Sequence, residues 1–243
     1  MDIKKVGIIG AMEIEVALLK EAMQDVIVTQ AAHMEFCEGL LNGMPVVVVR
    51  SGVGKVNAAI CTQVLADLFH VDAVINTGVA GSLNARIDIG DLVLASDVIH
   101  HDVDATLFGY EPGEIPQLGQ VSFTADEELT KLAERACREA KLSVKTWRGR
   151  VLSGDRFIES REQKENLVRT FNGTCTEMEG AAIAQTAWLN CMRFLIIRAI
   201  SDKADESAEM EYPVFEEKAA RISARLVLKL TQLLAQECAQ AEQ

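Results

Sequence analysis

Short β-branched runs, each closing on a glycine or acidic turn and followed by a segment of helical period, recur along this chain. That alternation limits what it can fold into more than any other feature. Residues 6–9 (Val-Gly-Ile-Ile) close on Gly10, residues 73–77 on Gly78-Val79-Ala80-Gly81-Ser82, and residues 194–200 on Ser201-Asp202. Apolar runs this short read as strands buried on both faces. Further strands are expected over 92–99, 144–152 and 175–177. Helices are expected over 13–23, 56–69, 126–140, 180–190 and 214–234, with one more running from the Ser160-Arg-Glu-Gln163 capping box to about residue 170.

Residues 36–41 and 46–50 flank Asn42-Gly43, which supplies the two positive-φ positions of a type I′ hairpin turn. Strands alternating with helices predict an α/β fold, a mostly parallel sheet with helices on both faces, and the hairpin makes that sheet mixed. No repeat, low-complexity tract or Pro/Gly-rich linker divides residues 1–243, so a single domain is expected.

Charge narrows the partners. Lys plus Arg is 24 and Asp plus Glu is 36, a net charge of −12. Nucleic acid calls for a basic surface, so a small neutral or cationic molecule suits this chain better. Its six cysteines form no CxxC pair and read as reduced, mostly buried thiols. No apolar run approaches the roughly 20 residues of a membrane span, and no leader pattern precedes Val6, so a cytoplasmic protein away from membranes is expected.

Acidic turns at strand ends are where open α/β sheets keep their sites. Two stand out: Glu177-Met178-Glu179, just before the helix opening at Gly180, and Arg198-Ala-Ile-Ser-Asp202. Glu15 falls in the first turn of a helix, where the helix dipole alone would favour a carboxylate. Ser51-Gly-Val-Gly-Lys55 lacks the third glycine of a dinucleotide loop and fits no Walker pattern, so it reads as a tight turn beside a neutral ligand. His100-His101-Asp102-Val103-Asp104 is the one dense His/Asp cluster, but adjacent histidines on a strand point to opposite faces, and neither metal nor cofactor is expected. The irregular stretch 108–116 has the makings of a lid or subunit contact.

Six motifs, in order and in register over residues 3 to about 230, resemble one family. They are Gly7-Ile-Ile-Gly-Ala-Met-Glu-Ile-Glu15, Ser51-Gly-Val-Gly-Lys-Val-Asn57, Asn76-Thr-Gly-Val-Ala-Gly81, Ser153-Gly-Asp-Arg-Phe-Ile158, Glu177-Met-Glu179 and Arg198-Ala-Ile-Ser-Asp202. Together they look like the bacterial 5′-methylthioadenosine/S-adenosylhomocysteine nucleosidases. The resemblance implies a nucleoside phosphorylase-like three-layer sandwich with a twisted mixed sheet. It also implies a homodimer in which the loop 105–116 of one subunit, with Phe108 and Pro116, closes the other's pocket.

The implied reaction is hydrolysis of the N-glycosidic bond, releasing adenine and a thioribose product. By similarity Asp202 protonates adenine N7, which requires a raised pKa, and Glu15 activates the attacking water. Glu179 would bind the ribose hydroxyls, Met178 would pack on the ribose, Phe157 would stack on adenine, and backbone groups of Ile158 would read its edge. Arg198 would orient the water or Glu15. Met12, Ala80, Gly81, Ser201 and Tyr212 complete the implied contacts, and Glu177 is either a ribose partner or a support behind one.

Three positions depart from the family pattern: Val79 for a common Ser, Tyr212 for Phe and Met192 for Pro. The first removes a hydroxyl near the water, the second puts one at the alkylthio end of the pocket, and the third reads as structural. Hydrolysis of another adenine nucleoside, of aminofutalosine type, is the leading alternative. A phosphorylase would need arginines where Met12, Glu13 and Glu15 stand, and a non-catalytic binder would not need both Glu15 and Asp202.

Overall fold

The computed structural model describes residues 3–241. Its strands are β1 (Val6–Gly10), β2 (Gln24–Ala31), β3 (Met34–Leu41), β4 (Met44–Arg50), β5 (Ala73–Ser82), β6 (Leu92–His100), β7 (Phe123–Thr124), β8 (Thr146–Ser153), β9 (Cys175–Glu177) and β10 (Arg193–Asp202). Its helices are α1 (Glu13–Ala22), α2 (Lys55–Asp67), α3 (Glu127–Glu139), α4 (Arg161–Phe171), α5 (Gly180–Leu189) and α6 (Ala208–Ala241), with a 3₁₀ turn at Thr106–Phe108.

All of these strands join one mixed sheet, as the α/β reading requires. β1 lies parallel between β4 and β5, and β10 runs parallel to β5 on its other side. β10 also pairs antiparallel with β6, β6 parallel with β8, β8 parallel with β9, and β9 antiparallel with β5. Those five pairings close a ring, so half of the sheet curls into a small barrel while β1, β4, β3 and β2 extend from it as an open wing. Helices α1, α3 and α6 pack together as one layer and α2 with α5 as another. Between them lies an apolar core rich in Val, Ile, Leu and Ala, including Ile8, Val48, Ile75, Leu94 and Ile196.

Asn42 (φ 53°) and Gly43 (φ 84°) make the two-residue turn, and Leu41 faces Met44 across it. Several features differ from the sequence reading. Residues 78–82 and Ser201-Asp202, read as turns, are the ends of β5 and β10, and the short β7 was not among the expected strands. β2 was not expected, because its apolar residues Val26, Ile27 and Val28 follow no alternation and are all exposed, and its pairing with β3 shifts register between Gln24 and Ile27. Helix α6 begins at Ala208 rather than residue 214, carrying Pro213 inside its opening turns. The proline reads locally as a boundary, yet the helix absorbs it, and Tyr212 thereby becomes a helical residue.

The shift between β2 and β3 explains Gly39. A Cβ there would lie 2.5 Å from the Gln24 carbonyl oxygen and 3.4 Å from that of Asp25. Backbone cannot yield as a side-chain tip does, so Gly39→Ala should lower the free energy of unfolding by about 1–3 kcal/mol. A urea melt measures it, and an unchanged midpoint would disprove the close approach.

Candidate active site

One cavity gathers nearly every residue singled out by the acidic and glycine turns. Met12 and Glu15 reach it from the β1–α1 turn, Val79, Ala80 and Gly81 from β5, and Phe157 and Ile158 from the turn after β8. Glu177, Met178 and Glu179 enter from β9 and the mouth of α5, Ser201 and Asp202 from the end of β10, and Tyr212 from α6. Val53, Arg156 and Thr176 also line it, and the sequence reading gave none of these a role.

Glu15 turns out to serve its helix as well as the cavity. Its Oε2 accepts from the backbone N–H groups of Ala11 (2.7 Å) and Met12 (3.0 Å), and Oε1 from that of Val79 (3.0 Å). The Val79 amide therefore holds this carboxylate even though its side chain has no hydroxyl. Burial raises the pKa of Glu15, and the positive charge of Arg198 and the three N–H donors work against that rise. Gly78 leaves the space in which the two groups approach. A Cβ there would lie 2.6 Å from Glu15 Oε1 and 2.8 Å from Arg198 Nη1.

Asp202 owes its placement to a break in strand register. β10 pairs residue by residue with β5 until Ile200 faces Ala80, after which Asp202, not Ser201, faces Gly81. A bulge of this kind re-aims the side chain that follows it. Asp202 Oδ1 accepts from the Ala204 N–H (2.8 Å), and Oδ2 from Ser201 Oγ (2.8 Å). Only 2 % of Asp202 is exposed, and burial raises its pKa against those two hydrogen bonds. Gly81 is needed here too, since a Cβ would lie 2.7 Å from Asp202 Oδ1.

Behind the cavity a single cation faces several carboxylates. Arg198, 1 % exposed, donates through Nε (3.1 Å) and Nη2 to Glu177 Oε2, and through Nη2 to Asn76 Oδ1. Glu177 further accepts from Ser153 Oγ and from the N–H groups of Gly180 (2.8 Å) and Glu179 (3.2 Å) at the start of α5. Burial alone would raise the pKa of Glu177, but Arg198 and these donors outweigh it and hold the group below its ordinary value. Glu177 thus has both carboxylate oxygens engaged by Arg198, Ser153 and the start of α5 while also lining the cavity. No hydrogen bond joins Arg198 to Glu15, so its influence on Glu15 is through charge.

Glu179 has less help. Its Oε1 accepts from Gly54 N–H (2.7 Å), while Oε2 stands 4.0 Å from Arg198 Nη2. Burial, with the negative charge of Glu177, pushes its pKa up to about 8. A neutral carboxyl facing a cavity is both donor and acceptor, which suits vicinal hydroxyls.

Phe157 and Tyr212 meet edge to face, ring centroids 5.7 Å apart, and form an aromatic wall. The Tyr212 hydroxyl reaches Glu216 Oε1 (3.1 Å) and lies 3.5 Å from Met12 Sδ. Phe108 and Pro116 are exposed and do not line this chain's own cavity. The two histidines diverge: His100 Nε2 meets Gln185 Oε1 (3.0 Å) on α5, and His101 packs against Gly154. Asn76, which accepts from Arg198, and Ser153 and Gly54, which donate to the carboxylates, stood within the quoted motifs, but their partners were not legible there.

Comparison with known proteins identifies the family. A model of the phosphorylase superfamily matches residues 5–232. The 5′-methylthioadenosine/S-adenosylhomocysteine nucleosidase of Staphylococcus aureus is 42% identical over 230 residues, 94% of this chain and all of that protein. The solved nucleosidase of Neisseria meningitidis, in complex with methylthio-immucillin-A, superposes with a TM-score of 0.91 at 41% identity over 94% of this chain and 99% of that one. Futalosine hydrolase of Helicobacter pylori superposes with a TM-score of 0.88 at 33% identity over 93% of this chain and 97% of that one. On sequence, fold and cavity together, the chain belongs to the phosphorylase superfamily and, within it, to the 5′-methylthioadenosine/S-adenosylhomocysteine nucleosidases.

Proposed function

We propose that this protein hydrolyses the N-glycosidic bond of 5′-methylthioadenosine and S-adenosylhomocysteine, with Glu15 as base and Asp202 as acid. The observation that carries it is the pairing of these two buried carboxyls on one cavity, each with a raised pKa and each fixed by hydrogen bonds. Water attacks C1′ and gives a proton to Glu15. Asp202 donates its proton to N7, the C1′–N9 bond breaks, and adenine leaves. Glu179 holds the ribose hydroxyls with Met178 beneath, and Phe157 stacks on the base, whose edge the Ile158 backbone reads.

Water suits this site as nucleophile better than phosphate does. The turn beside Glu15 offers Met12 and Glu13, and the charge of the nearby Arg198 is already engaged by Glu177. A second reading, hydrolysis of an aminofutalosine-type nucleoside, gains support from the likeness to the futalosine hydrolase of Helicobacter pylori. Leu107 and Phe108 are 89% and 79% exposed, which favours their burial against a second copy of the chain as a lid over its pocket. The protein would act as that homodimer in a reducing, cytoplasmic setting, consistent with buried free thiols at Cys37, Cys61, Cys137 and Cys175.

Adenine release from 5′-methylthioadenosine should proceed in phosphate-free buffer; a strict need for phosphate would make the protein a phosphorylase. Asp202→Asn should bind a substrate analogue yet lose about 10²–10⁴-fold in kcat, and near-normal turnover would remove Asp202 from the acid role.

The pH profile of kcat/KM follows from the two shifts. Glu15 must be ionised and its pKa is raised, so activity falls as pH drops through a value above the ordinary 4.5. Asp202 must be protonated and its pKa is raised from 3.8, so activity falls again as pH rises through its folded value. A profile flat from pH 4 upward, measured by adenine release, contradicts this pairing.

A further inference from the structure

The acidic member of the His100-His101-Asp102 cluster plays no part in the reaction as drawn, yet it joins two walls of the cavity. Asp102 Oδ1 accepts from Lys55 Nζ (2.6 Å), and Oδ2 from the backbone N–H of Asp155 (3.0 Å). The Asp155 side chain in turn accepts from the Lys55 backbone N–H (2.8 Å). Lys55 opens α2 and Asp155 sits in the turn after β8, so this loop of three hydrogen bonds ties the glycine turn to the aromatic turn. The Gly54 N–H, one residue before Lys55, is the donor to Glu179 Oε1 (2.7 Å). Two residues after Asp155 comes Phe157, then Ile158, both in the cavity wall.

The approach is close enough to demand its glycines. Gly54 has φ 97°, and a Cβ on it would stand 3.1 Å from Asp155 Oδ1. A Cβ on Gly154 would collide with the His101 ring, so Asp102's neighbour also packs beneath the aromatic turn. Burial would raise the pKa of Asp102, but the Lys55 ammonium and the Asp155 N–H hold it below the ordinary aspartate value, and the strap stays charged.

From this geometry we infer that Asp102 is a positioning residue. Paired with Lys55, it sets the ribose-gripping Gly54–Glu179 contact and the base-stacking Phe157 turn in one fixed relation. Cutting the strap loosens both ends of the nucleoside together while leaving Glu15 and Asp202 in place. The inference rests on the nucleosidase reading for its substrate, although the strap itself does not.

Asp102→Ala and Lys55→Met are the test. Each should raise KM for 5′-methylthioadenosine by about tenfold, the scale of one lost charged hydrogen bond, with kcat changed by less than about threefold. The double variant should be no worse than either single one, and Lys55→Arg should stay near wild type. Amide exchange at Gly54 and Asp155, followed by NMR without ligand, should quicken in both single variants. Unchanged KM, effects that multiply in the double variant, or unchanged exchange at Gly54 would overturn the inference. A wild-type protein that releases no adenine at all would instead sink the nucleosidase reading, and the exchange measurement would still judge the strap.

Discussion

The Arg198 guanidinium, shut off from solvent behind the cavity, is the interaction on which the rest of the site depends. It has Glu177 as its ion-pair partner and feels Glu15 and Glu179 as further negative charges. One cation cannot neutralise three carboxylates. Glu177, in direct contact and flanked by Ser153 and the start of α5, takes most of the compensation and stays ionised. Glu15 and Glu179 keep the remainder, and burial shifts both upward. Removing one member of a buried pair leaves the other uncompensated, so such a cluster behaves as a unit. Of the two groups in the proposed acid–base pair, Glu15 draws on that inequality, while Asp202 is raised by its own burial away from the arginine.

Backbone geometry then decides which groups can approach. Gly78 and Gly81 each leave a space that a single methyl group would fill, one between Glu15 and Arg198, the other beside Asp202. The register break before Asp202 turns its carboxyl toward Gly81 and the Ala204 N–H. None of these is a side-chain contribution. They are reasons why small residues cluster toward the end of β5, and why backbone N–H groups carry so many of the contacts.

Much of this was legible in the sequence. The strand-turn-helix alternation foretold the sheet, Asn42-Gly43 its hairpin, and the acidic turns the cavity. Other features were hidden for physical reasons. β2 has no period to read, because its apolar side chains are exposed and a register shift interrupts its pairing. Closure of five strands into a ring depends on β10 pairing on both sides, a long-range choice that no local pattern records. Glu15 could be read as a carboxylate favoured by its helix dipole or as a functional one, and its contacts reach both its own helix and the cavity. Two of its three N–H partners, Ala11 and Met12, lie in the turn before its own helix and the third, Val79, lies in β5.

The ring bears on motion. Glu177 ends β9 and Asp202 ends β10, and both strands pair with β5 inside the closed barrel. Their spacing is therefore a matter of strand register and cannot open without breaking ladder hydrogen bonds. Any widening of the cavity falls instead to the parts outside the ring, the turn carrying Phe157 and the start of α6 carrying Tyr212. Those two aromatic rings already touch edge to face. The ring therefore holds Asp202 and the Glu177 that engages Arg198 at one spacing, while the aromatic wall is built from segments that no strand ladder ties down.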